Sequence, residues 1–331
     1  MATRKTIRRI VTTTPSVSSW LSSSSSSQPL LPTLISIPPI PALSQWFLPN
    51  QSVNAHPPHR KLNIDHLTHS GTQDPLVCIE HTQTTITESS NSSSSFERLE
   101  IPWSYYLHYL DSPPQPPPRP STPRSTTSSS PSSSTSTSTL YLAQCSPPPH
   151  LLPDLHLPRT HMDIPSSRLT HSSLWMGRTP TTTPMHQDPD HNLFLQICGH
   201  KTFRVMEPRV GTRFLELVRQ GKEENGGGLS RLRGVEMMLA GPKGERDGLE
   251  KVVWDDDDVE RDLDSKSHSD SDLDSGGSEQ MEGEGDDLFQ VTVQRGQGLL
   301  IPKGWWHAVR SRTGRDDGEE ELSVSVNWWF R

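Results

Sequence analysis

Runs of Ser, Thr and Pro cut this sequence into islands, and that interruption constrains the fold more than any other feature. The stretches at 22–27 and 113–139, and the acidic stretch at 255–287, hold too little apolar surface to offset the entropy of ordering them. Hydrophobic residues make up only 30% of the 331, and prolines number 31. The islands left over support one globular domain, although length alone would allow two. We expect a disordered N-terminal segment over 1–55, an N-terminal extension over 56–96, and a domain over 97–331 with disordered inserts at about 112–139 and 255–287.

The formal net charge of -8 arises in one place, because the run from Asp255 to Asp287 holds fifteen Asp and Glu against Arg261 and Lys266. Outside it, Lys and Arg outnumber Asp and Glu by 29 to 24. The total therefore excludes neither a nucleic-acid nor a protein substrate, and no strongly basic face gives positive support for RNA. Three cysteines, Cys78, Cys145 and Cys198, are too few and too scattered for a disulfide framework or zinc cluster. No apolar run approaches the roughly 20 residues of a membrane helix, so no membrane partner is expected. Residues 1–64 contain no Asp or Glu and begin with Arg4, Lys5, Arg8 and Arg9. That Arg-rich, Ser-rich, acid-poor texture suits a mitochondrial transit peptide; otherwise the chain belongs in the cytoplasm or nucleus.

Between the interruptions, short apolar runs end in Gly or Pro turns. Ser173–Gly177, Asn192–Cys198, Thr202–Met206, Phe289–Gln294, Leu299–Pro302 and Trp305–Arg310 read as strands. Leu322–Phe330 alternates, with Leu322, Val324 and Val326 opposite Ser323, Ser325 and Asn327. Leu140–Gln144 reads as a further strand-like run. Helical spacing is confined to a short segment ending near Leu110, to 210–220, and more weakly to 231–240. Many short strands with few helices predict a mainly β fold, a barrel or sandwich, and not a parallel α/β sheet.

His186-Gln187-Asp188 sets an imidazole and a carboxylate on the same side of an extended chain, since residues two apart share a face. With one distant His, such a pair makes the facial triad of non-haem Fe(II) oxygenases, and the opposite coordination positions stay open. The same ligand set also suits zinc. A His-x-Asp pair alone is common in a chain with 15 His and 39 acidic residues. The context is what sharpens it. His307 closes the stretch Gly298-Leu299-Leu300-Ile301-Pro302-Lys303-Gly304-Trp305-Trp306-His307.

These segments, with Leu174-Trp175-Met176-Gly177, Gly199-His200-Lys201 and Ser325-Val326-Asn327-Trp328-Trp329, resemble the JmjC, or cupin-like, oxygenases. The likeness covers roughly 97–331. It is closest to the asparaginyl-hydroxylase and tRNA wybutosine-hydroxylase branch and to fungal JmjC proteins. The resemblance implies a double-stranded β-helix, the jelly-roll or cupin barrel, with a few flanking helices and long disordered segments. It also implies Fe(II), 2-oxoglutarate and O₂ as cofactors of a hydroxylase or demethylase acting on a protein side chain or an RNA nucleoside, the protein side chain being preferred. His186, Asp188 and His307 match the iron ligands. Lys201 and Thr183 match the residues that hold the distal carboxylate of 2-oxoglutarate. Asn192 and Asn327 match polar residues near its iron-bound end, and Trp329 an aromatic wall. The tyrosine that some relatives add is not assigned; Tyr141 is left open. His191 and His200 read as turn or surface residues. Nothing follows Arg331, so the C-terminal helices by which some relatives dimerise are not expected. Two rival readings stay open, a zinc cupin enzyme and a non-catalytic cupin-fold binding module.

Overall fold

The computed structural model of the protein describes residues 6–9, 16–24, 29–48, 61–68, 74–86, 92–112, 135–157, 163–223, 253–254, 287–311 and 322–331. Its strands are β1 (Thr6–Arg9), β2 (Thr33–Ser36), β3 (Leu76–Ile86), β4 (Ser92–Pro102), β5 (Thr135–Cys145), β6 (Leu169–Arg178), β7 (Thr181–Gln187), β8 (His191–Cys198), β9 (Lys201–Met206), β10 (Asp287–Val293), β11 (Gln297–Ile301), β12 (Trp306–Ser311) and β13 (Leu322–Phe330). The α-helices are α1 (Val17–Ser22), α2 (Pro41–Gln45), α3 (Ile64–Thr68), α4 (Trp103–Asp111) and α5 (Pro208–Glu223). Among the described residues, no helix is long and apolar enough to cross a membrane.

The strands form a five-stranded sheet in the order β1-β10-β9-β12-β7 and an eight-stranded sheet in the order β2-β11-β8-β13-β6-β5-β3-β4. Neighbouring strands are antiparallel except β1 beside β10. Three apolar clusters organise the layers. One, with Phe194 and Leu299 from the large sheet and Phe203, Val291 and Val309 from the small one, fills part of the space between the sheets. The second packs α1–α4 on the outside of the large sheet, and the third packs α5 on the outside of the small sheet. This is the mainly β architecture expected from the strand pattern, in the jelly-roll, cupin-like form that the family resemblance implies.

β13 shows why the alternation matters. Leu322, Val324 and Val326 enter the outer core, as their spacing requires. The opposite face is not solvated, because every residue of β13 is buried. Ser325 and Asn327 point between the sheets, where polar groups must find partners.

Three expectations need correction. Residues 1–55 are not devoid of structure: Val17, Trp20, Ile35, Ile37, Trp46 and Phe47 are buried in the outer core. β2 extends the large sheet, with Leu34 opposite Leu299. The cause is local, since a few large side chains among Ser and Pro provide burial that a composition average conceals. A leader removed beyond Ser16 would take core residues with it. Second, the loop expected at 112–139 ends early, because Thr135–Thr139 already pairs with β3, Thr139 facing Thr82. β3 and β4 likewise belong to the large sheet, so position 97 marks no boundary. The helix expected over 231–240 and the acidic insert at 255–286 lie outside the described residues.

Candidate functional site

Sheet register assembles the site. β7 and β12 are antiparallel neighbours in which His186 faces His307 directly, and their ring centroids are 4.2 Å apart. Asp188 follows the end of β7. Its carbonyl accepts from the Gly304 N–H at 2.8 Å, and the Gln187 side chain donates to the Gly304 carbonyl at 2.6 Å. The turn before β12 is thus tied to the residues around Asp188. Gly304 has φ +78°, a left-handed conformation that glycine adopts without strain.

Both imidazoles are oriented by carbonyls. His186 Nδ1 lies 2.8 Å from the Pro184 carbonyl and His307 Nδ1 3.1 Å from that of Trp305. A carbonyl can only accept, so each Nδ1 carries the proton and each Nε2 keeps its lone pair. His186 Nε2 stands 3.9 Å from Asp188 Oδ1, and His307 Nε2 3.6 Å from Asp188 Oδ2. These separations are too long for hydrogen bonds. The three ligand atoms lie within 4.8 Å of one another, a set that could hold a metal ion.

The electrostatics favour the ligand forms. Burial and the neighbouring His186 ring push His307 down to about 4, against the pull of Asp188 and the Trp305 carbonyl, so it is neutral near pH 7. Burial raises the Asp188 carboxyl, but both imidazoles and two donors outweigh this and hold it below the usual carboxylate range. Those donors are Trp329 Nε1 and Asn192 Nδ2, each 2.9 Å from Asp188 Oδ2. Asn327 Nδ2 in turn donates to Asn192 Oδ1 at 2.7 Å. The chain Asn327–Asn192–Asp188 fixes one carboxylate oxygen and leaves Oδ1 facing His186.

Lys201, the first residue of β9, is 4% exposed. Its ammonium donates to Ser325 Oγ at 3.0 Å and Tyr141 Oη at 3.4 Å, and Nζ lies 5.7 Å from the centroids of Trp175 and Phe194. Among the described residues none of its hydrogen-bond partners is a carboxylate, and burial alone pushes it down to about 7. A buried ammonium with only neutral partners suits an anionic ligand. Gly177 makes this arrangement possible, because a Cβ there would sit 2.4 Å from the Tyr141 ring.

One cavity unites these groups. The eight residues singled out from sequence, Thr183, His186, Asp188, Asn192, Lys201, His307, Asn327 and Trp329, all line it. His191 stands apart from the triad: its Nδ1 accepts from the Lys303 N–H at 3.2 Å, with Trp20 edge-on at 5.4 Å.

Sequence reasoning missed Gln144, Trp175, Phe194, Phe203 and Val309 in the wall. Trp175 lay inside a quoted motif and could have been found there. Gln144 could not, since it enters at an irregularity in β5 between Leu142 and Cys145 with φ +50°. A non-glycine residue in that region costs roughly 1 kcal/mol or more and recurs at functional sites.

Comparison with known proteins agrees with this geometry. A family described as the cupin-like domain matches residues 59–331. The chain is similar to Lysine-specific demethylase JMJ30 of Arabidopsis thaliana, 26% identical over 167 residues. That alignment takes in 50% of this chain and 27% of the relative, so the chain matches about a quarter of the relative's length.

Proposed function

The chain belongs to the cupin-like domain family, and on that premise we propose that it is an Fe(II)- and 2-oxoglutarate-dependent dioxygenase. One observation carries the reading: a two-imidazole, one-carboxylate triad shares its cavity with a buried ammonium that has neutral partners. The donor set fits the metal, with the Nε2 atoms of His186 and His307 beside Asp188, the His307 ring neutral and the carboxylate kept ionised near pH 7. The ammonium fits the cosubstrate, since a dicarboxylate needs a cation at its far end. A hydrolytic zinc site has no such need.

His186, Asp188 and His307 would hold the iron, and Lys201 with Thr183 the distal carboxylate. When bound, the iron with 2-oxoglutarate and O₂ supplies oxidative decarboxylation to succinate and CO₂, coupled to oxidation of a substrate C–H bond. The protein's own part is positional. Asn327 and Asn192 hold the Asp188 carboxylate, the Pro184 and Trp305 carbonyls hold the imidazoles, and Trp175, Phe194 and Phe203 keep the wall dry. Hydroxylation at an N-methyl carbon leads to demethylation, so one site serves either outcome. The relative's name as a lysine-specific demethylase supports a protein side chain over an RNA nucleoside.

The test is succinate formation by the purified chain with Fe(II), 2-oxoglutarate and O₂. His186→Ala and Asp188→Ala are each expected to lower the rate by at least about a thousandfold while far-UV circular dichroism is unchanged. Equal turnover in Asp188→Ala would refute the reading.

A further inference from the structure

Behind the strands that carry the triad lies a second packed layer. Alternation turns His307 between the sheets and its neighbours Trp306 and Ala308 outward. Those outward side chains form one cluster with Met185, the chain neighbour of His186, and with Val253 and Trp254. Val253 and Trp254 are 1% and 3% exposed. In sequence they immediately precede Asp255, the first residue of the acidic run.

Their contacts are more specific than apolar filling. Two guanidinium groups stand over the Trp254 ring, Arg204 Cζ at 4.7 Å and Arg310 Cζ at 4.3 Å from its centroid. Arg204, itself 1% exposed, donates through Nη1 to the Val253 carbonyl and through Nε to Gln290 Oε1 at 2.7 Å. Arg204 stands on β9 and Arg310 on β12. One indole therefore packs across two strands that the sheet already pairs, β9 with Lys201 and β12 with His307. The layer leaves little slack elsewhere, since a Cβ at Gly211 of α5 would sit 2.2 Å from the Trp306 ring.

We propose that Trp254 is a positioning residue for the triad: packed against Arg204 and Arg310, it braces the outward face of the paired strands β9 and β12 and so holds the His307 ring in place for the metal. This rests on the reading of His186, Asp188 and His307 as metal ligands. Partners hydrogen-bonded to metal ligands typically change metal affinity by 10–100-fold when removed; Trp254 stands one layer further out and acts through strand position, so its effect belongs at the lower end of that range.

The test is Co(II) titration of the full-length chain by calorimetry, with His307→Ala as the control that assigns binding to the triad. Trp254→Gly is expected to weaken Co(II) at least about tenfold, and free indole, filling the vacated space, to restore most of the loss. Arg310→Gln removes one of the two guanidinium contacts with little change in packing and is expected to weaken Co(II) in the same direction; it decides the question if Trp254→Gly does not fold. Co(II) affinity within twofold of the parent in the folded variant, with only a lowered melting temperature, overturns the proposal and leaves Trp254 as packing alone. Failure of the parent chain to bind Co(II) overturns it too, and with it the metal reading; that outcome differs from the first, in which the parent binds.

Discussion

Replacing Lys201 with Met should make the empty protein more stable and the site less able to bind 2-oxoglutarate. Burial brings the Lys201 ammonium from 10.5 to about 7. Each pH unit of such a difference is worth 1.36 kcal/mol, so at pH 7 the empty fold forgoes about 4 kcal/mol relative to a solvated lysine. The folded value is depressed, so the unfolded chain binds more protons between about pH 7 and 10.5, and stability rises with pH across that window. Met at this position removes the penalty but deprives Ser325 Oγ and Tyr141 Oη of a donor, which costs about 1–3 kcal/mol. The net expectation is a gain of about 2 kcal/mol at pH 7 that shrinks toward pH 9.5. Affinity for 2-oxoglutarate should fall about a hundredfold, because its distal carboxylate loses its cation. Urea unfolding of the empty protein at pH 7 and pH 9.5, with an equilibrium 2-oxoglutarate titration, measures both. The reasoning fails if Lys201→Met is destabilised by more than about 1 kcal/mol at pH 7, or binds 2-oxoglutarate within threefold of the parent.

Three further outcomes follow from the same structure. Binding 2-oxoglutarate to the metal-loaded protein at pH 8 should take up close to one proton, as a carboxylate beside Lys201 restores its charge; calorimetry in two buffers of different ionisation enthalpy should show the uptake in the parent and not in Lys201→Met. Trp20→Ala should cost about 3–5 kcal/mol in urea unfolding, since the ring is 3% exposed and its Nε1 donates to the Leu31 carbonyl at 3.0 Å; a loss below about 1 kcal/mol would show that this segment is not part of the folding unit. Deleting residues 255–286, with Trp254 retained, should leave succinate formation without added substrate within about twofold, and a large loss would give the acidic run a role in turnover.

How far the sequence could be read depended on whether a residue's role was written in a local pattern. The alternation of Leu322, Val324 and Val326 identified a strand and its apolar face. It also marked Ser325 and Asn327 as partners on the other face, but whether that face met solvent or the interior depended on a second sheet far away in the chain. The pairing of His186 with His307 is a register fact across 121 residues of chain, and only a family resemblance joined them beforehand. Gln144 was illegible because it reaches the cavity through a backbone irregularity, which leaves no mark on hydrophobic spacing. The anchors Val17 and Trp20 were hidden by the Ser and Thr around them, whereas Trp46 and Phe47 lie in an apolar stretch over 34–48 whose prolines break any helical or alternating period. Val253 and Trp254 were hidden as Val17 and Trp20 were, at the doorstep of the most acidic stretch of the chain.

The central claim is that His186, Asp188 and His307 hold an iron ion to which 2-oxoglutarate binds. The most direct measurement adds Fe(II) and then 2-oxoglutarate to the purified protein without oxygen and records the visible spectrum. A weak metal-to-ligand charge-transfer band that appears in the parent and is absent in His307→Ala is the predicted result. No band in the parent, with zinc retained in place of iron, would contradict the oxygenase account.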